Sequence, residues 1–152
     1  MIPIDKYYYI IYFSAATYKL SEYNLEALLQ KAYQNNHPLN ITGILMYYDG
    51  AFAQVLEGEY EAVQQLFQKI SQDSRHHQII QMKSGFADKR FFADWSMAFY
   101  PLKKEHFLQI NGFKSFVYND IFKDDSIDSN NPIVIILKAF FESQPIYRQL
   151  HG

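Results

Sequence analysis

Three polar side chains stand where the surrounding pattern calls for apolar ones. In the run Ala51 to Glu57, period-two alternation puts Phe52, Gln54 and Leu56 on one face, so an amide lies between two large hydrophobes. Tyr12 shares its face with Tyr8 and Ile10 in the aromatic run Tyr7 to Phe13. Asn36 follows Ala32 by four residues, which places it along an apolar helical stripe just past the helix end. A phenol donates a proton, and a carboxamide both donates and accepts. Each such group costs about 1–3 kcal/mol if buried without a partner. Two readings of the trio stand. They satisfy one another inside the core, or they line a slot for a flat, polar-edged ligand. Lys69, Arg75 and His76 cluster at the mouth of that slot, either as solvated charges or as partners for a phosphate-bearing tail.

Other chemistry is poorly served. The chain has no cysteine, which excludes disulfides, thiol catalysis and Cys-ligated metal. His76 and His77 are adjacent, and His37, His106 and His151 are scattered, so no metal site is expected. No Gly-rich phosphate loop or nucleophile elbow occurs among the six glycines. Lys plus Arg is 14 and Asp plus Glu is 16, a net charge of -2 that leaves no footprint for nucleic acid or anionic lipid. No apolar run is long enough to span a bilayer, and Met1 to Lys6 is not a basic-then-apolar leader. A cytoplasmic protein with no membrane partner is expected. At 152 residues, 49% hydrophobic and 20% charged, the chain builds one globular unit with a real core.

The elements that must hold the trio follow from periodicity. Tyr7 to Phe13 reads as a first strand. A helix opens after a Ser21 cap, with Leu25, Leu28, Leu29, Ala32 and Tyr33 as its apolar stripe, and stops at Asn35-Asn36-His37-Pro38. Strands Ile41 to Tyr48 and Ala51 to Glu57 are joined by the hairpin dipeptide Asp49-Gly50. A second helix spans Tyr60 to Ser71 on Val63, Leu66, Phe67 and Ile70. After the polar link Asp73 to His77 come strands at Ile79 to Phe86 and Ser96 to Tyr100. The order β-α-β-β-α-β-β predicts an α+β, ferredoxin-like open sheet with two helices on one face. Residues 1-100 would form this core and residues 101-152 a C-terminal helical extension of the same globular unit. In that extension a short helix is expected at Glu105 to Ile110 and a polar loop at Lys123 to Asn131. A last helix follows Asn131-Pro132, apolar nearly all round and therefore buried on more than one side, packing on the sheet's other face. It also offers a partner interface, and a homo-oligomer is expected.

Taken together, certain segments resemble a known family. They are Ile10 to Ser14, Asn35-Asn36, Asn40 to Leu45, Phe52 to Gly58, Asp73 to His77 and Arg90 to Met97. In order and spacing they are similar to the BLUF domains, blue-light sensors using flavin, over about Tyr7 to Tyr100, and to the short members with a small C-terminal extension. The resemblance implies a non-enzymatic photoreceptor binding flavin non-covalently, FAD by preference, with FMN or riboflavin also admitted. It makes Tyr12 the photochemical electron and proton donor and Gln54 the bridge from Tyr12 to the flavin ring. Asn36 would hold the ring's carbonyl and imide edge, with Asn35 nearby, and Leu28 and Ile70 would sandwich the ring. Lys69, Asp73 and Arg75 would lie toward the ribityl or phosphate end, with His76 beside them. Lys69 stands where some members carry Arg, which makes a phosphate contact less fork-like. Trp95 and Met97 would carry the signal out along the last strand, through the C-terminal helices, to an unidentified downstream protein; which of the two faces the flavin stays open. The competing reading is a redox enzyme or regulatory domain that uses flavin in the dark. Tyr12 and Gln54 facing one slot favour the sensor.

Overall fold

A computed structural model describes residues 3, 5–18, 20–48, 50–93, 95–100, 114–115 and 127–143; at 22, 25, 26, 29, 48, 95–100 and 114–115 it describes the backbone alone. The chain divides into two units, residues 1–115 and 116–152, and each is described by itself.

In the first unit, β1 (Tyr7–Ala16) leads to α1 (Glu22–Asn36), a 3-10 turn (His37–Leu39), β2 (Thr42–Tyr48), β3 (Ala51–Gly58), α2 (Tyr60–Ser71), β4 (His76–Ala87), β5 (Trp95–Tyr100) and the two-residue β6 (Lys114–Ser115). The sheet order is β4-β1-β3-β2-β5-β6. β3 runs antiparallel to both β1 and β2, and β4 antiparallel to β1, while β5 joins β2 in parallel. The first four strands with α1 and α2 are the ferredoxin-like arrangement that the element order predicts.

Register fixes the two faces. Ile10 pairs with Leu56 and Tyr12 with Gln54, while Leu45 pairs with Gln54 and Tyr47 with Phe52. These residues share a face with both helices: Tyr8, Ile10, Leu45, Tyr47, Phe52 and Leu56 form one core with Val63 and Leu66 of α2, and Leu28, Ala32 and Tyr33 of α1 pack against it. On the opposite face Ile11, Ile44, Met46, Ala53 and Val55 are also buried. At Gly43 the strands come too close for any side chain: its φ is 151°, and a Cβ there would fall on the Val55 carbonyl.

The caps follow the sequence. Ser21 accepts a hydrogen bond from the Asn24 amide at the start of α1, as an N-cap serine should. Boundaries in the β1–β4 pair differ from the expectation, for β1 runs on past Phe13 to Ala16. β4 starts at His76, not near Ile79, because Ala16 and Ala15 of β1 pair with His76 and His77. Tertiary pairing there overrides a polar, turn-like composition.

In the second unit, α3 (Pro132–Glu142) is capped by Asn131, whose Oδ1 accepts from the Ile133 amide at 2.9 Å. Ile133, Val134, Leu137, Phe140 and Phe141 are buried, but Ile135 is 53% exposed and Lys138 pairs with Glu142 across one turn. The buried residues share one side and the helix has an outer stripe, which corrects the expectation of burial on more than one side. The helix expected at Glu105 to Ile110 lies outside the described residues, as do residues 123–126 of the loop expected at Lys123 to Asn131. Among the described residues no helix is long and apolar enough to cross a membrane, and no cluster of three metal-ligand side chains occurs.

Candidate functional site

Between α1, α2 and the sheet lies a cavity of about 500 Å³. Tyr12 of β1, Leu45 of β2 and Phe52 and Gln54 of β3 form its floor. One wall is Leu28, Lys31, Ala32, Gln34, Asn35 and Asn36 of α1, continued by Pro38 and Leu39. The other is Gln65, Leu66, Lys69 and Ile70 of α2, with Asp73, Arg75 and His76 following it. The structure thus places Tyr12, Leu28, Asn35, Asn36, Gln54, Lys69, Ile70, Asp73, Arg75 and His76 around one space. Leu45 and Phe52 are additions that the register alone could have supplied, since both flank Gln54 on its face. Lys31, Gln34 and Gln65 are exposed residues that no pattern singled out.

At the floor, the Tyr12 hydroxyl donates to Gln54 Oε1. Both residues are buried, at 3% and 4% exposure. Burial pushes the Tyr12 phenol well up from its ordinary range, and the nearby Asp73 charge adds to that shift. The phenol is therefore neutral at physiological pH. With Oε1 taken, the Gln54 amide nitrogen has no partner among the described residues. Neither has the Asn36 side chain, which is 3% exposed and makes no capping bond to the turn it precedes. The trio does not close on itself: Tyr12 and Gln54 do, and two amides are left with hydrogen-bonding capacity at a cavity wall.

The rim is more committed than its charges suggest. Asp73 Oδ1 accepts from the Arg75 amide at 2.9 Å and from Nε at 3.0 Å, while Oδ2 accepts from Nε and Nη2. The guanidinium holds the Asp73 carboxyl below the usual carboxylate range. Arg75 is thus largely spent on its own chain, whereas Lys31 and Lys69 are exposed and form no ion pair among the described residues. The side chains of Trp95 and Met97 lie outside what is described. Their backbone register is clear: Met97 pairs with Leu45, on the row that continues through Gln54 to Tyr12, and Trp95 pairs with Gly43.

A second buried polar cluster went unpredicted. Glu57, 1% exposed, is the last residue but one of β3 and accepts from the backbone amides of Phe91 at 2.6 Å and Phe92 at 2.7 Å. Arg90 beside it donates to Thr42 Oγ1, the Glu57 carbonyl and the Asn40 carbonyl, and covers the Tyr7 ring. Burial pushes the Glu57 carboxyl up, against the pull of the two amides and of Arg90. The alternation that exposed Gln54 also holds a signal for Glu57, which shares a face with Ala53 and Val55.

Residues 7–98 match the BLUF family, described as sensors of blue-light using FAD. The chain belongs to that family, which makes residues 7–98 a flavin-binding, blue-light-sensing domain. Among curated proteins it is 36% identical over 89 residues to photoactivated adenylate cyclase subunit beta of Euglena longa, covering 58% of this chain and 10% of that protein. It is 32% identical over 79 residues to the blue light- and temperature-regulated antirepressor BluF of Escherichia coli, covering 52% and 20%. The chain therefore spans a tenth to a fifth of the length of these relatives. Among solved structures, the dark state of the BLUF protein BlrB superposes with a TM-score of 0.62 at 25% identity, covering 88% of this chain and 92% of that one.

The slot fits a flavin on its own terms. Leu28 and Ile70 are half-buried apolar side chains contributed from opposite helices. The unpartnered amides of Gln54 and Asn36 match the polar edge of a flat heteroaromatic ring.

Proposed function

We propose that this domain converts absorption of blue light into a changed protein contact through the Tyr12–Gln54 pair. When bound, the flavin supplies the blue-light absorption and an excited state that accepts an electron. Tyr12 would be the donor of that electron; a phenol that loses an electron becomes strongly acidic, so its proton would pass along the hydrogen bond toward Gln54 Oε1. Gln54 receives the Tyr12 hydroxyl on one atom and keeps its other for the ring, so rotation or tautomerisation of one amide rewires both bonds without moving the backbone. A stronger donor to the flavin carbonyl shifts absorption to the red. Asn36 and Asn35 hold the polar edge, Leu28 and Ile70 the faces, and Lys69, Asp73 and Arg75 the ribityl or phosphate end of FAD. The observation that carries this reading is the buried Tyr12–Gln54 hydrogen bond beside two unpartnered amides.

The output we assign to β5, with Met97 on the Gln54 row and Trp95 two residues before it, and then to the C-terminal segment and a partner protein. The domain itself performs no reaction on a substrate. In the photoactivated cyclases a matching stretch fills only a tenth of the chain, which supports a sensory part with its effect elsewhere. We place the sensor in the cytoplasm as a homo-oligomer, FAD being its chromophore; the exposed Ile135 of α3 supports a contact with another chain. Tyr12→Phe tests the donor role. The yellow, folded variant is expected to lose the reversible red shift under blue light, and a normal shift would move the donor role to another tyrosine.

A further inference from the structure

His76 lines the cavity, yet it spends both ring nitrogens on its own chain. Nε2 lies 2.6 Å from the Ile70 carbonyl oxygen and Nδ1 lies 2.8 Å from Ser14 Oγ. A carbonyl only accepts, so the network puts a proton on Nε2, and in the neutral ring Nδ1 accepts a hydrogen bond from the serine hydroxyl. The Ile70 carbonyl belongs to the last turn of α2, where it also accepts from the Asp73 amide at 3.1 Å, so the imidazole is a further, side-chain donor to it. Ser14 is buried on β1, two residues from Tyr12 and on the same face. The imidazole thus ties the strand that carries Tyr12 to the helix end that carries Ile70.

The same ring also bounds Tyr12 directly. Its centroid lies 6.1 Å from the Tyr12 ring at 68° and 6.2 Å from Phe52 at 89°, both edge-on. Phe67 packs on Tyr12 at 5.5 Å. The hydroxyl oxygen of a tyrosine lies on the axis of the final torsion, so its place is set by the first torsion and the backbone, and rings packed against the phenol restrict that placement. A hydrogen bond weakens steeply as its angle departs from linear, so the hydroxyl keeps its aim at Gln54 only if the ring is held. Two hydrogen bonds to fixed backbone and side-chain atoms pin the imidazole, and the pinned imidazole holds the phenol.

We propose that His76 is a positioning residue for the Tyr12–Gln54 pair, acting through the Ser14–His76–Ile70 bridge, and not a polar contact of the flavin. This rests on the reading of Tyr12 as the donor. The bridge sets both the placement of the Tyr12 ring and the distance from β1 to the Ile70 side of the slot. Ser14→Ala breaks the bridge on one side and His76→Ala on both.

The experiment compares flavin-loaded wild type with Ser14→Ala, His76→Ala, the double variant and Tyr12→Phe. It measures flavin content, the size of the red shift and the rate of dark recovery. Both single variants are expected to keep flavin and a red shift and to change the recovery rate roughly fivefold, the factor one hydrogen bond is worth. The double variant should match the larger single effect, because both changes break one bridge. Wild-type recovery in both singles, or effects that multiply in the double, overturns the proposal. So does loss of flavin from His76→Ala with Ser14→Ala unaltered, which would make His76 a flavin contact. If His76→Ala does not fold, His76→Gln takes its place, since it puts an amide near the Nε2 position and nothing at Nδ1; it must then recover as Ser14→Ala does. A normal photocycle in Tyr12→Phe defeats the donor reading itself, whereas a dead Tyr12→Phe beside wild-type recovery in Ser14→Ala defeats the role of His76 alone.

Discussion

Two buried polar clusters among the described residues sit three residues apart on one strand and are finished in opposite ways. Glu57, near the end of β3, has its carboxylate oxygens taken by the Phe91 and Phe92 amides, and Arg90 ties up the neighbouring carbonyls. Gln54, on the other face, is satisfied by Tyr12 at one atom only, and Asn36 beside it not at all. Buried polar groups are nearly always paired. A fully paired cluster is a fastener, here between the end of β3 and the segment leading into β5. An incompletely paired one at a cavity wall is a receptor for something the chain does not itself provide.

That contrast predicts opposite responses to mutation. Glu57→Ala should have the largest effect on stability, a loss on the order of 3 kcal/mol, because two amides lose their acceptor at once. Urea unfolding of the apoprotein reads it, and a loss within error of zero would show that water replaces the carboxylate. On the receptor side, Asn36→Ala should leave the unfolding midpoint of the apoprotein unchanged. It should weaken flavin binding on the order of tenfold, as expected for one polar partner of a buried ring edge, and alter the dark spectrum. An unchanged affinity would return Asn36 to the helix end alone.

Acid titration sharpens the comparison with a smaller effect. Burial raises the Glu57 carboxyl, so the folded state holds that proton more tightly, and its contribution to stability falls as pH rises from the ordinary carboxylate range to the raised value. Asp73 runs the other way. Its carboxyl is lowered by Arg75, so its contribution is complete above the ordinary range and is lost as pH falls toward the folded-state value. With its side chain 30% exposed, that contribution is under about 1 kcal/mol. Asp73→Asn should flatten the acid limb of a stability–pH curve measured by thermal unfolding; an unaltered limb would mean the ion pair is too well screened to matter.

Much of this was legible in the residues because the relevant patterns are local. The spans of α2 and the β2–β3 hairpin follow from periodicity and turn chemistry, and so does the placement of Gln54 between Phe52 and Leu56. Asn36 was found as a polar residue continuing an apolar stripe. What escaped depends on partners distant in sequence. Glu57 reads as the polar end of a strand until Phe91 and Phe92, more than thirty residues on, supply its donors. The strand at His76 exists only because β1 runs on to Ala16. The engagement of Arg75 by Asp73 is a matter of side-chain geometry that spacing does not reveal. β6 is a two-residue pairing with no pattern of its own.

Gln54→Leu keeps the side-chain volume but takes one acceptor, from the buried Tyr12 hydroxyl, where Glu57→Ala takes two, so its expected cost is smaller, about 1–2 kcal/mol. It is also the most direct test of the central claim, that one amide switching between Tyr12 and the flavin makes the signal. The measurement is the light-minus-dark absorption difference of the flavin-loaded variant. A folded, yellow protein with no reversible red shift is the expected result. A wild-type red shift from Gln54→Leu would contradict the account, because no amide would be left at that position to switch.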